Sequence, residues 1–232
     1  MSTDQPSSES GFRTFYKQFF DTLVQAYNAT GDPAVYVYEN YLRWKGVPDD
    51  GFKLQSTGAH LSPHFTILMY AATSAFSTVH TLGASFKIMP NSNISFADKR
   101  GMRYEYIIHA PSQYLMEVSN LLVQVAEYPF LHEVEYAPGF VLPIGEPVVP
   151  SSGMQHLYFT YPFVDDTRMN SDEPWGQIER PQFVIQMLWV FPIYLSEVAY
   201  IQRAGADAFE ERCNERHQQQ YDAFDFFREP YV

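Results

Sequence analysis

The chain has 232 residues, 46% of them apolar and 17% aromatic, which is enough for one substantial core and too much for disorder over most of its length. A net charge of −12 and a pI near 4.9, with 15 basic residues scattered rather than gathered in a stripe, argue against a nucleic-acid partner. The lone Cys213 excludes an internal disulfide and a cysteine-built metal cluster, and no apolar run is long enough to cross a bilayer.

Residues 1–10, MSTDQPSSES, read as a disordered leader with neither a charged nor an apolar region of the kind a signal peptide needs. The expected setting is therefore cytoplasmic and reducing, with no membrane partner. Ser10 can cap a helix in which Phe12, Phe15, Tyr16, Phe19, Leu23 and Tyr27 recur at helical spacing, ending near Gly31 and Pro33. AVYVYENYLRW, HFTILMYAA, GASFKIM and RYEYIIHA are β-prone runs bounded by turn residues.

After Pro111 the period changes. Leu115, Val118, Leu122 and Val125 share a helical face, and Pro129 is expected to end the helix. FVLPIGEPVVP is too rich in proline for a central strand and reads as an edge or irregular segment, whereas QHLYFTY is strand-like. PFVDDTRMNSDEPWGQIERP reads as one long acidic loop. In FVIQMLWVF only Gln186 is polar, so both faces of that strand should be covered, with Pro192 ending it. Ser196 is the expected cap of the next helix, Glu197 suits its positive end, and Gly205 suits its stop. Asp207 with Glu210 resembles a capping box for a second helix. The order has neither βαβ alternation nor repeats. It predicts an α+β fold, a mixed, mostly antiparallel β-sheet with helices packed on it.

The sequence offers little chemistry. His60 and His64 have a four-residue spacing, but Pro63 spoils the helix that would aim both at one metal. His132 lies beside Glu133 and Glu135 at a helix end, and Cys213 sits among charges as a passive thiol. Nucleophile elbows and phosphate-binding loops are absent from the sequence. No catalytic residue, metal ligand or cofactor is expected. The candidate partner-binding residues are Asp165, Asp166, Asp172, Glu173 and Trp175 of the acidic loop, with Phe226 and Phe227 of the C-terminal segment. That segment, 218–232, is expected either to pack on the domain or to dock a partner.

Taken in order, FTILMYAATS, RYEYIIHAP, VQVAEYP, APGFVLPIGEP, HLYFTYP and the strand at Pro192 followed by Glu197, Gly205 and Phe209 resemble the suppressor-of-fused family. YAATS departs from it, since relatives more often carry a glycine there. The resemblance implies one domain over 11–217, similar to the N-terminal domain of the two-domain animal members, and a protein-binding module rather than an enzyme. In those animal members the two domains clamp a transcription-factor peptide, while many bacterial relatives look like immunity proteins. The reading is a bacterial-type immunity protein that neutralises a cognate toxin by occlusion, with the acidic balance suiting a basic toxin. Two alternatives stay open. One is an adaptor or self-associating protein, monomer or homodimer, using a sheet edge or the tail. The other is a small hydrolase whose residues, such as His60, His64 or His156, meet only in three dimensions.

Overall fold

Runs rich in apolar, aromatic and β-branched residues build most of the seven strands found among the described residues: β1 (Thr66–Ala71), β2 (Phe76–Leu82), β3 (Met102–Pro111), β4 (Val141–Pro143), β5 (His156–Thr160), β6 (Gln177–Arg180) and β7 (Phe183–Ile193). The computed structural model describes residues 65–71, 76–86, 88–90, 102–161, 177–180, 183–217 and 225–232. The expected N-terminal helix and the AVYVYENYLRW strand lie outside them, as do His60 and His64. Among the described residues the strands form one sheet in the order β1-β2-β3-β7-β5-β4, with β6 also on β7. Every described pairing is antiparallel except β3 with β7, which run parallel from Met102–Val184 to Ile107–Trp189.

β7 is the spine. Its other edge is shared: β6 takes Phe183 to Gln186, and β5 takes Trp189 to Ile193. From Ile185 to Ile193 its side chains alternate between two covered faces, as the sequence predicts. Leu188 and Val190 join Tyr104, Tyr106, Ile108, Leu157 and Phe159 beneath helix α1 (Leu115–His132), which contributes Val118, Leu122, Val125 and Ala126. On the opposite face Phe191 and Tyr158 meet Phe209, at ring-centroid separations of 6.3 and 5.2 Å. Phe209 belongs to helix α3 (Ala206–His217), which follows α2 (Leu195–Ala204) after Gly205 at φ +94°. Complete burial of one such ring contributes roughly 1.5–3 kcal/mol.

Several sequence expectations are corrected. GASFKIM is not a strand, because Gly83 turns the chain and Ala84–Phe86 make a 3-10 turn; the strand is the preceding Phe76–Leu82. The expected acidic loop ends in β6, where Gln177–Arg180 pair with β7. Pro192 does not end β7, which runs to Ile193. Pairing with β3 has already stopped at Trp189, so Pro192 stands opposite Leu157 of β5 on one edge alone. Ser196 is inside α2, whose cap position is Tyr194, and Glu210 accepts hydrogen bonds from Tyr158 and Thr160 instead of closing a capping box.

Pro129 does not end α1 either. A proline at that position leaves the carbonyl of Val125, four residues earlier, without its helical donor. The buried Tyr136 hydroxyl supplies one, at 3.1 Å. The helix continues to His132, and Glu133 closes it in the left-handed region at φ 55°. Tyr136→Phe keeps the ring, which lies 4.3 Å from that of Phe159, and removes only this donor. It is expected to lower the unfolding free energy by about 1–3 kcal/mol in urea titration. An unchanged midpoint would show that the carbonyl finds another donor.

Candidate functional site

Because β3 and β7 are parallel, their C-terminal residues, Pro111 and Ile193, point to the same end of the sheet. The C-terminal strap, residues 225–232, is held at that end of the sheet and ties its two sides together. Phe226 is fully buried in the α1-side core and stacks on Tyr114 at 6.5 Å. Its carbonyl accepts the Ser152 hydroxyl at 2.8 Å. Five residues on, Tyr231 packs against Phe209 on the α3 side at 6.5 Å.

Between them Arg228 is buried in a tight polar knot. Its two terminal nitrogens donate to the two oxygens of Glu197, at 2.8 and 3.0 Å, a fork-to-fork pairing. One nitrogen also reaches the Pro192 carbonyl at 3.2 Å, and the other reaches the Glu229 carbonyl at 3.1 Å. The ring of Tyr231 lies 3.9 Å from the guanidinium carbon, and that of Tyr194 5.6 Å. Glu197 accepts two further bonds, from the backbone of Tyr194 at 2.8 Å and of Tyr231 at 2.9 Å. The Tyr194 hydroxyl donates to the Arg228 carbonyl at 2.5 Å. Burial alone would lower the guanidinium pKa, but the bonds to Glu197 outweigh it and the group is held charged. Around this knot Leu195, Phe227 and Val232 are exposed, at 68%, 44% and 42%.

A second buried carboxylate has a structural part. Glu105 accepts from the Thr81 hydroxyl at 2.5 Å, the Gly83 amide at 2.9 Å, and the Ser85 amide and hydroxyl at 3.1 and 2.6 Å. It fixes the turn that leaves β2, and burial raises its pKa although all four donors pull it back.

His109 lies edge-on to Trp189 at 5.7 Å, and burial lowers its pKa from 6.5 to about 3. A histidine held neutral in the folded state stabilises the fold fully above pH 6.5, and that contribution is lost as the pH falls towards 3. Glu105 works in the opposite sense, since its raised pKa favours the fold as pH falls. The informative quantity is therefore the stability of the wild type minus that of His109→Gln. It should decline between pH 6.5 and 4 at up to about 1.4 kcal/mol per pH unit. A flat difference would refute it.

Among the seven candidate partner-binding residues, Asp165, Asp166, Asp172, Glu173 and Trp175 lie outside the described residues. Phe226 and Phe227 are neighbours with opposite exposures: the first is enclosed in the core and the second is on the surface near Tyr114, 6.0 Å ring to ring. Of these two described residues, Phe227 is the one available to a partner. His132 packs on Tyr128 at 4.1 Å at the end of α1, His156 is half-buried at the start of β5, and Cys213 is buried. Among the described residues no group of three or more His, Cys, Asp and Glu side chains is placed to hold a metal. Nor, among them, is any helix long and apolar enough to cross a membrane. Sequence reading missed Arg228; its signal was a lone arginine inside the aromatic run FDFFREPYV.

The family model of suppressor of fused protein matches residues 62–229. No curated protein matches the sequence. Among solved structures the chain is similar to one described as a suppressor of fused homologue from Neisseria gonorrhoeae FA 1090, at 14% identity and TM-score 0.59, over 95% of this chain and 98% of that one. It is also similar to a chain in the Sufu–Fu complex, at 13% identity and TM-score 0.56, over 93% and 91% of the two chains. Drosophila Suppressor of Fused matches at 13% identity and TM-score 0.51, over 74% of this chain and 43% of its own length. At such identities the structural likeness is one of fold, an α+β domain on a mixed sheet.

Proposed function

This chain belongs to the suppressor of fused family, and on that premise we propose that it works as a protein-binding module that catalyses no reaction. The observation that carries the reading is the family match over residues 62–229, in a fold one of whose similar structures is the Sufu–Fu complex. The geometry is compatible with it. The buried carboxylates of Glu105 and Glu197 are saturated by donors that hold turns and the strap in place.

The finer reading is a bacterial immunity protein that covers a basic toxin. Its support is charge: 27 acidic against 15 basic residues give complementarity to a basic surface and speed the encounter. The acidic stretch from Asp165 to Trp175 is the proposed contact, with the exposed Phe227 of the strap as a second.

The test is capture of partners from the native host by the tagged chain, at low and moderate salt, with identification by mass spectrometry. One stoichiometric partner that leaves as salt rises is expected, and none at either salt would remove the binding reading. Against that partner, converting Asp165, Asp166, Asp172 and Glu173 together to lysine is expected to weaken affinity at least about tenfold and to flatten its salt dependence. The unfolding midpoint should not move. Unchanged affinity would take the acidic stretch out of the interface.

A further inference from the structure

We propose that the slot holding residues 225–232 is a binding site for an arginine-and-aromatic segment of a protein partner, with the chain's own strap as its resident occupant. The inference rests on the protein-binding reading above and assigns it a site.

The chemistry of the slot is selective. The body of the domain supplies the Glu197 carboxylate, the Pro192 carbonyl, the Tyr194 ring and hydroxyl, the Ser152 hydroxyl and the Tyr114 ring. The strap supplies an aromatic ring two residues before the arginine, the arginine itself, and an aromatic ring three residues after it. Among the described residues, the backbone of the strap also makes polar contacts with the body, through the carbonyls of Phe226 and Arg228 and the amide of Tyr231, which any segment carries. The specific requirement is a guanidinium flanked by rings.

A segment needed only to close a core is held as well or better by apolar side chains, because a buried ion pair must first lose its water. What the pair adds is discrimination: lysine cannot reproduce the two-pronged contact, and a neutral residue strands Glu197. Such recognition suits a site that must choose among segments. The surroundings also favour an incoming chain, since the exposed Leu195 gives it apolar footing beside the slot before the strap leaves. The net charge of −12 draws a cationic segment towards the domain. A resident occupant lowers the apparent affinity of its competitor by the fraction of time the slot stands empty, so binding in trans is weaker than the contacts alone imply.

The intact chain serves for the test, in two measurements. In native-state hydrogen exchange, the Tyr231 amide, bonded to Glu197, is expected to exchange at least about 100-fold faster than the Phe159 amide of β5, bonded to the Phe140 carbonyl just before β4. A fluorescein-labelled peptide with the sequence of residues 225–232 is expected to bind in an anisotropy titration, and its arginine-to-alanine version at least tenfold more weakly. Equal exchange of the two amides would overturn the proposal, because the strap would then open only with the whole fold. So would failure of the peptide to bind, or equal binding by both peptides. Neither measurement needs a natural partner: host capture without peptide binding sinks the slot alone, and peptide binding without host capture sinks the partner reading.

Discussion

Arg228→Met is expected to lower the unfolding free energy by about 3–5 kcal/mol, measured by urea denaturation at neutral pH. The reason is less the attraction lost than the charge left behind. Glu197 has no exposed surface, and among the described residues its charged contacts come from Arg228. Without the guanidinium its oxygens keep the two backbone amides of Tyr194 and Tyr231, too few to stabilise a dry carboxylate. The Pro192 carbonyl loses its contact as well. The stranded charge has a second consequence. Adding Glu197→Gln to Arg228→Met removes the stranded charge, so the double variant should be more stable than Arg228→Met alone. A double variant as unstable as the sum of the two singles would mean that the pair acts independently, contrary to the geometry.

The same pair shows what could be read in the sequence and what could not. Elements whose own residues carry the signal were legible: the aromatic alternation of β3 and β5, the two covered faces of β7, and the Gly205 break between α2 and α3. Errors arose where a distant residue decides the local outcome. Pro129 should stop α1, and does not, because Tyr136 donates to the carbonyl that the proline abandons. Pro192 should stop β7, and does not, because β3 has already parted from it. GASFKIM has strand-like composition, yet Glu105, 20 residues beyond Ser85, folds it into a turn. β2 was missed because Ser77, Thr78, His80 and Thr81 dilute the apolar pattern, although Val79 is wholly buried. Glu197 was legible as a charge at a helix start, whereas its partner 31 residues away was not. Spacing along the chain carries helix faces and strand faces; it carries no signal for a bond closed by tertiary folding.

Glu105 is the second place where one side chain holds several others, and Glu105→Ala is expected to destabilise the fold by about 3–5 kcal/mol. The substitution removes the acceptor for two hydroxyls and two amides at once, all within buried structure around Gly83 and Ser85. Thr81 would be released from its fixed pose, and with it the bond that its hydroxyl accepts from the Tyr106 amide at 2.8 Å. The loss should therefore spread from the turn into the pairing of β2 with β3, visible as faster hydrogen exchange at Ile107 and Ile108. Glu105→Gln separates shape from charge. It keeps an oxygen for Gly83 and Ser85 and leaves Thr81 without an acceptor, so about 1–2 kcal/mol is expected. The pH dependence then has a definite sign. A carboxyl whose folded pKa is raised binds more protons in the folded state, so its contribution to stability falls as pH rises from 4.5 to that higher value. Relative to Glu105→Gln, the wild type should thus lose stability as pH increases above 4.5. A difference that grows with pH would mean that the four donors outweigh burial and hold the carboxylate ionised.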